Sequence, residues 1–183
     1  MDKLLRSTSI FLFVLGATGS LNAQQRFFAE KSTVVFFSDG VIEDISAKSE
    51  KVTSIFDAVD GEIAYLMSIK DFQFVNKLMQ VHFNEKYMET EKFPKSSFQG
   101  KISGFNFVAG GKQQVTATGK LTIHGVSKNI EVPGTIEVDG SKLVVKSKFI
   151  IKLLDYNIKV PQIVWQNIAQ QVEVSLDFVY RPL

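Results

Sequence analysis

Two histidines, His82 and His124, are the only imidazoles in the chain, and it contains no cysteine. Thiol nucleophiles, disulfides, thiolate zinc and histidine-rich metal cages are therefore excluded. A serine nucleophile needs a base placed to take its proton. No Gly-x-Ser-x-Gly occurs, and no serine is followed by lysine three positions on. Gly110-Gly111-Lys112 lacks the earlier glycine and the following Ser/Thr of a phosphate loop, so it reads as a turn. Glu89 and Glu91 share a charged run with Lys86, Lys92 and Lys95, the pattern of a solvated face rather than a carboxylate pair. Neither a catalytic set nor a resident metal or cofactor is expected.

The residues that remain are apolar. Sixteen phenylalanines in 45% hydrophobic residues exclude a disordered chain. Twenty-one Lys+Arg against 19 Asp+Glu lack the basic excess of a nucleic-acid binder. Residues 1–23 read as a removable leader: Lys3 and Arg6, an apolar run over 10–17, then small residues ending at Ala23. That run is too short to span a bilayer, which takes ~20 residues. The expected product is residues 24–183, one domain in the periplasm or secreted, without stable membrane insertion.

Gly, Asp and Asn punctuate short apolar segments, the spacing of a strand meander. Strands are predicted over 33–37, 41–47, 52–56, 62–69, 98–108, 115–123, 126–138, 141–153 and 171–180. In the last, Val172, Val174, Leu176, Phe178 and Tyr180 share one face and Gln171, Glu173, Ser175 and Asp177 the other. A two-residue turn at His124-Gly125 pairs Thr118 with Glu131 and Ala117 with Val132. A second at Asp139-Gly140 pairs Glu137 with Lys142 and Glu131 with Lys148, setting opposite charges across the ladder. It also makes a row of Ala117, Val132 and Ser147. Pro133 cannot donate to a ladder and predicts a bulge or an edge. One helix is predicted over 76–88. Asn76 caps it, and Leu78, Met79, His82, Phe83 and Tyr87 share a face.

Small inward residues, Ala117, Gly119, Gly134 and Ser147, sit mid-sheet with Phe149, Phe178 and Tyr180 on the same side. Either they leave a lumen open, or large side chains from the opposite wall fill it. Residue types alone leave both readings standing. Met67, Met79 and Met88 suit a flexible apolar ligand and a core equally well. The Pro161–Trp165 stretch either lines an entrance or plugs it. His82 is a core or mouth histidine, or a contact for the polar head of a bound molecule. His124 is expected to support its turn.

Three segments carry a resemblance. Leu121-Thr122-Ile123-His124-Gly125-Val126-Ser127-Lys128 closely resembles the L-T-[IV]-[HN]-G-[VT]-[TS]-[KR] hairpin of the YceI-like lipid/polyisoprenoid-binding family. Lys92-Phe93-Pro94-Lys95-Ser96-Ser97-Phe98-Gln99-Gly100 is similar to its P-x-x-x-F-x-G segment. Leu153-Leu154-Asp155-Tyr156-Asn157-Ile158 is similar to its late D-[YF]-G-I turn, with Asn157 where the family commonly has glycine. The resemblance spans residues 26–181 and is strongest after Phe93. It implies an all-β, lipocalin-like antiparallel barrel of about eight strands. Its lumen would carry a long isoprenoid or related lipid without catalysis; a structural or protein-interaction module of the envelope is the alternative. The expected lumen residues are Tyr65, Met67, Phe105, Phe107, Ala117, Gly119, Val132, Phe149, Val174, Leu176 and Phe178.

Overall fold

The computed structural model describes residues 25–39, 44–159 and 170–183. The proposed leader and the Pro161–Trp165 stretch lie outside the described residues, as do positions 41–43 of the second expected strand.

Ten strands appear among the described residues: β1 (Arg26–Ser38), β2 (Ile45–Ser49), β3 (Val52–Asp57), β4 (Glu62–Ser68), β5 (Gln73–Phe74), β6 (Lys95–Ser103), β7 (Gly111–Ile123), β8 (Val126–Asp139), β9 (Lys142–Lys152) and β10 (Gln171–Pro182). Eight of them, β1, β3, β4 and β6 to β10, form an antiparallel barrel, closed because β10 pairs with both β9 and β1. β2 and β5 extend the wall beside β1 at one end. The helix α1 (Lys77–His82) runs on as a π-helical turn, Phe83–Tyr87. As expected, Asn76 caps it, accepting from the N–H groups of Leu78 and Met79 at 3.0 and 3.3 Å.

β1 is longer than alternation predicts, because its register against β10 shifts between Ala29 and Lys31. A bulge there breaks the period of two that marks a strand in sequence. β2 and β3 share one register against β1 and are separated at Glu50-Lys51. Ser32 closes that gap: its hydroxyl accepts from the Val52 N–H at 3.0 Å and donates to the Glu50 carbonyl at 3.4 Å.

The His124-Gly125 hairpin has the expected register, with Ile123 opposite Val126 and Thr118 opposite Glu131. His124 at φ 49° and Gly125 at φ 73° take the two left-handed positions of such a turn. The next hairpin corrects the expectation. Asp139 pairs with Lys142 around a Gly140-Ser141 turn, so Glu137 faces Val144 rather than Lys142. The row is therefore Val115, Gly134, Ser147. A slip of two preserves which side each residue faces, so the inward set survives. The lysines of β9 find their carboxylates on β10 and β1 instead: Lys146 with Asp177 at 2.9 Å, Lys148 with Glu173 at 2.7 Å and Lys142 with Glu30 at 2.8 Å.

The strand expected over 98–108 begins earlier, at Lys95, and stops at Ser103. Gly104 turns the chain at φ 85°, and the Asn106 side chain accepts from the Val108 N–H at 2.9 Å, capping a short 3-10 turn. Phe105 and Phe107 thus leave the wall. With Phe27, Phe56, Phe178 and Tyr180 they form the aromatic packing of one barrel end, Phe56 meeting Phe105 at 5.7 Å and Phe27 meeting Phe107 at 5.9 Å. Asn157 takes φ 56°, the left-handed position that asparagine tolerates in place of glycine.

Candidate functional site

The inward faces of the strands do not meet. A space of about 150 Å³ lies toward the α1 end of the barrel, and a second of about 60 Å³ lies deeper. Tyr65, Phe149 and Leu176 line both and form the waist between them. Tyr65 keeps accessible surface although it points inward, because that surface faces the internal space. An apolar cavity of ~150 Å³ stays dry and accepts a benzene-sized guest.

Among the described residues no charged side chain lines the larger space, and its polar groups are the hydroxyls of Ser38, Ser96, Tyr65 and Tyr87. Burial pushes the Tyr65 hydroxyl well above the ordinary phenol range, and a hydrogen bond with Ser96 offsets part of that rise. Tyr65 therefore stays a neutral donor at physiological pH. Ser96 in turn donates to the Thr122 carbonyl at 3.0 Å, which fixes the pair on the wall.

The α1 end is covered by rings. Phe36 of β1 stacks on Phe83 at 5.4 Å, and Phe72 and Phe74 pack edge-on against Phe36 at 5.2 and 5.7 Å. Phe74 also meets Phe83 at 4.9 Å. These four, with Met79 and Tyr87, roof the larger space. Composition gave the abundance of phenylalanine but no means of placing it. Phe36 and Phe74 lie far apart in sequence and meet because Ala47 of β2 pairs with Phe36 on one side and Phe74 on the other.

Of the expected lumen residues, Tyr65, Met67, Phe149, Val174 and Leu176 line the larger space, and Ala117, Val132 and Phe178 line the deeper one. Phe105 and Phe107 belong to the far aromatic end. Gly119 faces inward but pairs with Gly100, and a Cβ there would meet the Gln99 carbonyl oxygen at 2.3 Å. Its smallness lets β6 and β7 approach rather than making room for a guest. His82, half-buried at the end of α1, lines neither space.

His124 is buried, at 7% exposure. Its Nδ1 donates to the Tyr156 carbonyl at 3.1 Å, and its Nε2 lies 3.3 Å from a Glu89 carboxylate oxygen. The ring packs edge-on against Phe93 at 4.4 Å. One side chain thereby joins all three segments that carry the sequence resemblance or flank it. Among the described residues no group of three or more His, Asp or Glu side chains is placed to hold a metal, and no helix is long and apolar enough to cross a membrane.

No curated protein matches the chain. Among solved structures, a polyisoprenoid binding domain from Saccharophagus degradans superposes with a TM-score of 0.74 at 13% identity, covering 87% of this chain and all of that one. BcnA of Burkholderia cenocepacia gives 0.69 at 20% identity over 81% of this chain and 95% of its own. The YceI protein of Campylobacter jejuni gives 0.55 at 15% identity over 98% and 91%. At these identities the likeness establishes the barrel. The model of the YceI-like domain matches residues 26–180, and with that match the chain belongs to the YceI-like family.

Proposed function

We propose that this protein is a non-catalytic carrier of a long-chain isoprenoid or similar lipid, exported to the periplasm or beyond after cleavage near Ala23. The observation that carries the proposal is the larger internal space, walled by apolar side chains with no charge among the described residues. Each CH₂ moved from water into such a wall contributes ~0.8 kcal/mol, so a long chain binds tightly with little polar recognition. The resting space accepts only a short stretch of chain. Met67, Met79 and Met88 line it, and their flexible thioethers yield to a longer one. The likeness to the polyisoprenoid binding domain of Saccharophagus degradans supports the same class of ligand.

Native mass spectrometry of protein purified without detergent tests the proposal. The expected result is a discrete apolar adduct, or stoichiometric uptake of added polyprenol. A clean mass with no uptake would favour the envelope structural module instead.

A further inference from the structure

β8 and β9 part at Pro133. Their ladder ends with Gly134 opposite Ser147, although β8 continues against β7 as far as Val126 and β9 continues against β10 as far as Lys152. Residues 128–133 and 148–152 therefore flank a seam without backbone pairing across it. Proline supplies no N–H to extend the ladder, and Ser147 Oγ donates to the Pro133 carbonyl at 2.6 Å, closing its last rung.

The seam holds a cleft of about 380 Å³, with Lys128, Asn129 and Glu131 on one bank and Ile150 and Lys152 on the other. Unpaired main-chain groups along both banks require water, and Ile150 is 52% exposed. Behind this wet cleft lie the apolar spaces. Phe149 lines the cleft and both of them. It is the centre of a thin partition that Leu121, Ile130, Val132 and Ile151 complete.

We infer that the seam is the ligand's way in and out of the barrel and that Phe149 is the positioning residue that gates it. The inference rests on the carrier reading above. The alternative path, through the α1 end, requires the Phe36, Phe72, Phe74 and Phe83 rings to separate together. The seam path requires Phe149 to swing aside and its neighbours Ile130, Val132 and Ile151 to yield, and no ladder hydrogen bond has to break.

A cross-link across the seam tests this. The chain has no cysteine, so Glu131→Cys with Ile150→Cys, both outward-facing, gives a unique pair for a short bis-maleimide. Uptake and release of NBD-labelled geranylgeraniol are followed by the fluorescence rise in an apolar interior. The linked protein is expected to take up and release the probe at least tenfold more slowly than the same variant unlinked, with Kd unchanged. Phe149→Ala in the otherwise unaltered protein is expected to release it at least tenfold faster. Equal rates in linked and unlinked protein overturn the gate while leaving the carrier intact. Should the double variant not fold, an unchanged release rate in Phe149→Ala overturns it as well. Failure of the unaltered protein to bind the probe at all overturns both readings.

Discussion

Nδ1 of His124 donates to the main-chain oxygen of Tyr156 across 3.1 Å, fastening the β7–β8 hairpin to the turn that leaves β9. Tyr156 is itself buried, so that carbonyl has no easy recourse to water. His124→Asn keeps a residue that tolerates positive φ but loses the hydrogen bond and the ring's packing on Phe93, a cost of about 1–3 kcal/mol. His124→Ala also strains the turn and is expected to cost about 1 kcal/mol more. Urea unfolding of the two variants gives the order; equal stabilities would remove the backbone contribution.

A methyl group at residue 119 has nowhere to go. Besides the Gln99 oxygen, the added Cβ of Gly119→Ala would meet the Gly100 Cα at 2.5 Å, backbone on both counts. Loss of more than about 4 kcal/mol is expected, seen as failure to accumulate soluble protein. Gly140→Ala is the contrast. Nothing lies within 4 Å of its added Cβ, and only φ 60° opposes it, so the cost should stay near 1 kcal/mol.

Leu176 stands at the waist of the two inner spaces. Leu176→Phe fills part of the larger one, so strain and filled void offset each other, and stability should move by no more than about 1 kcal/mol. Binding of geranylgeraniol should weaken at least tenfold. Unchanged affinity would place the ligand elsewhere.

Ser54 and Tyr180 make an asymmetric pair at the far end of the barrel. Ser54 Oγ spends its one proton on the Ala64 carbonyl at 2.8 Å, so the Tyr180 hydroxyl, 2.7 Å away, is the donor between them. Tyr180→Phe leaves Ser54 satisfied and costs about 1 kcal/mol, whereas Ser54→Ala strands a buried hydroxyl and costs about 1–3 kcal/mol. Burial holds the Tyr180 pKa well above the ordinary phenol value, with the Ser54 hydrogen bond pulling back only in part. The unfolded chain therefore releases this proton first, and stability falls as pH rises beyond about 10. Tyr180→Phe should flatten part of that alkaline loss in pH-dependent unfolding; Tyr65, shifted the same way, keeps the remainder.

What the sequence made legible was local. The β10 alternation, the Asn76 cap and the His124-Gly125 register each depend on residues a few positions apart, and each is present in the structure. Pro133 signalled a bulge or an edge, and the β8–β9 ladder ends beside it. The Asp139-Gly140 turn misled because aspartate–glycine also suits a hairpin whose left-handed residue is Gly140 followed by Ser141. The ring cover of the α1 end was not legible at all. It depends on β1 meeting β2 and β2 meeting β5, contacts that no periodicity within a single segment encodes. Phe105 and Phe107 alternate like strand residues, but Gly104 had already turned the chain.

The Leu183 N–H donates to the Arg26 carbonyl at 2.9 Å, and β1 meets β10 along most of its length. The wall is thus completed by the strands farthest apart in the chain order of the barrel. Phe27, Val34 and Phe36 have to wait, greasy and half-partnered, until β10 has been synthesised. Topologies of this kind assemble slowly, in milliseconds to seconds, and the waiting chain is prone to aggregate. Truncating the last strand should therefore yield inclusion bodies rather than a smaller soluble protein.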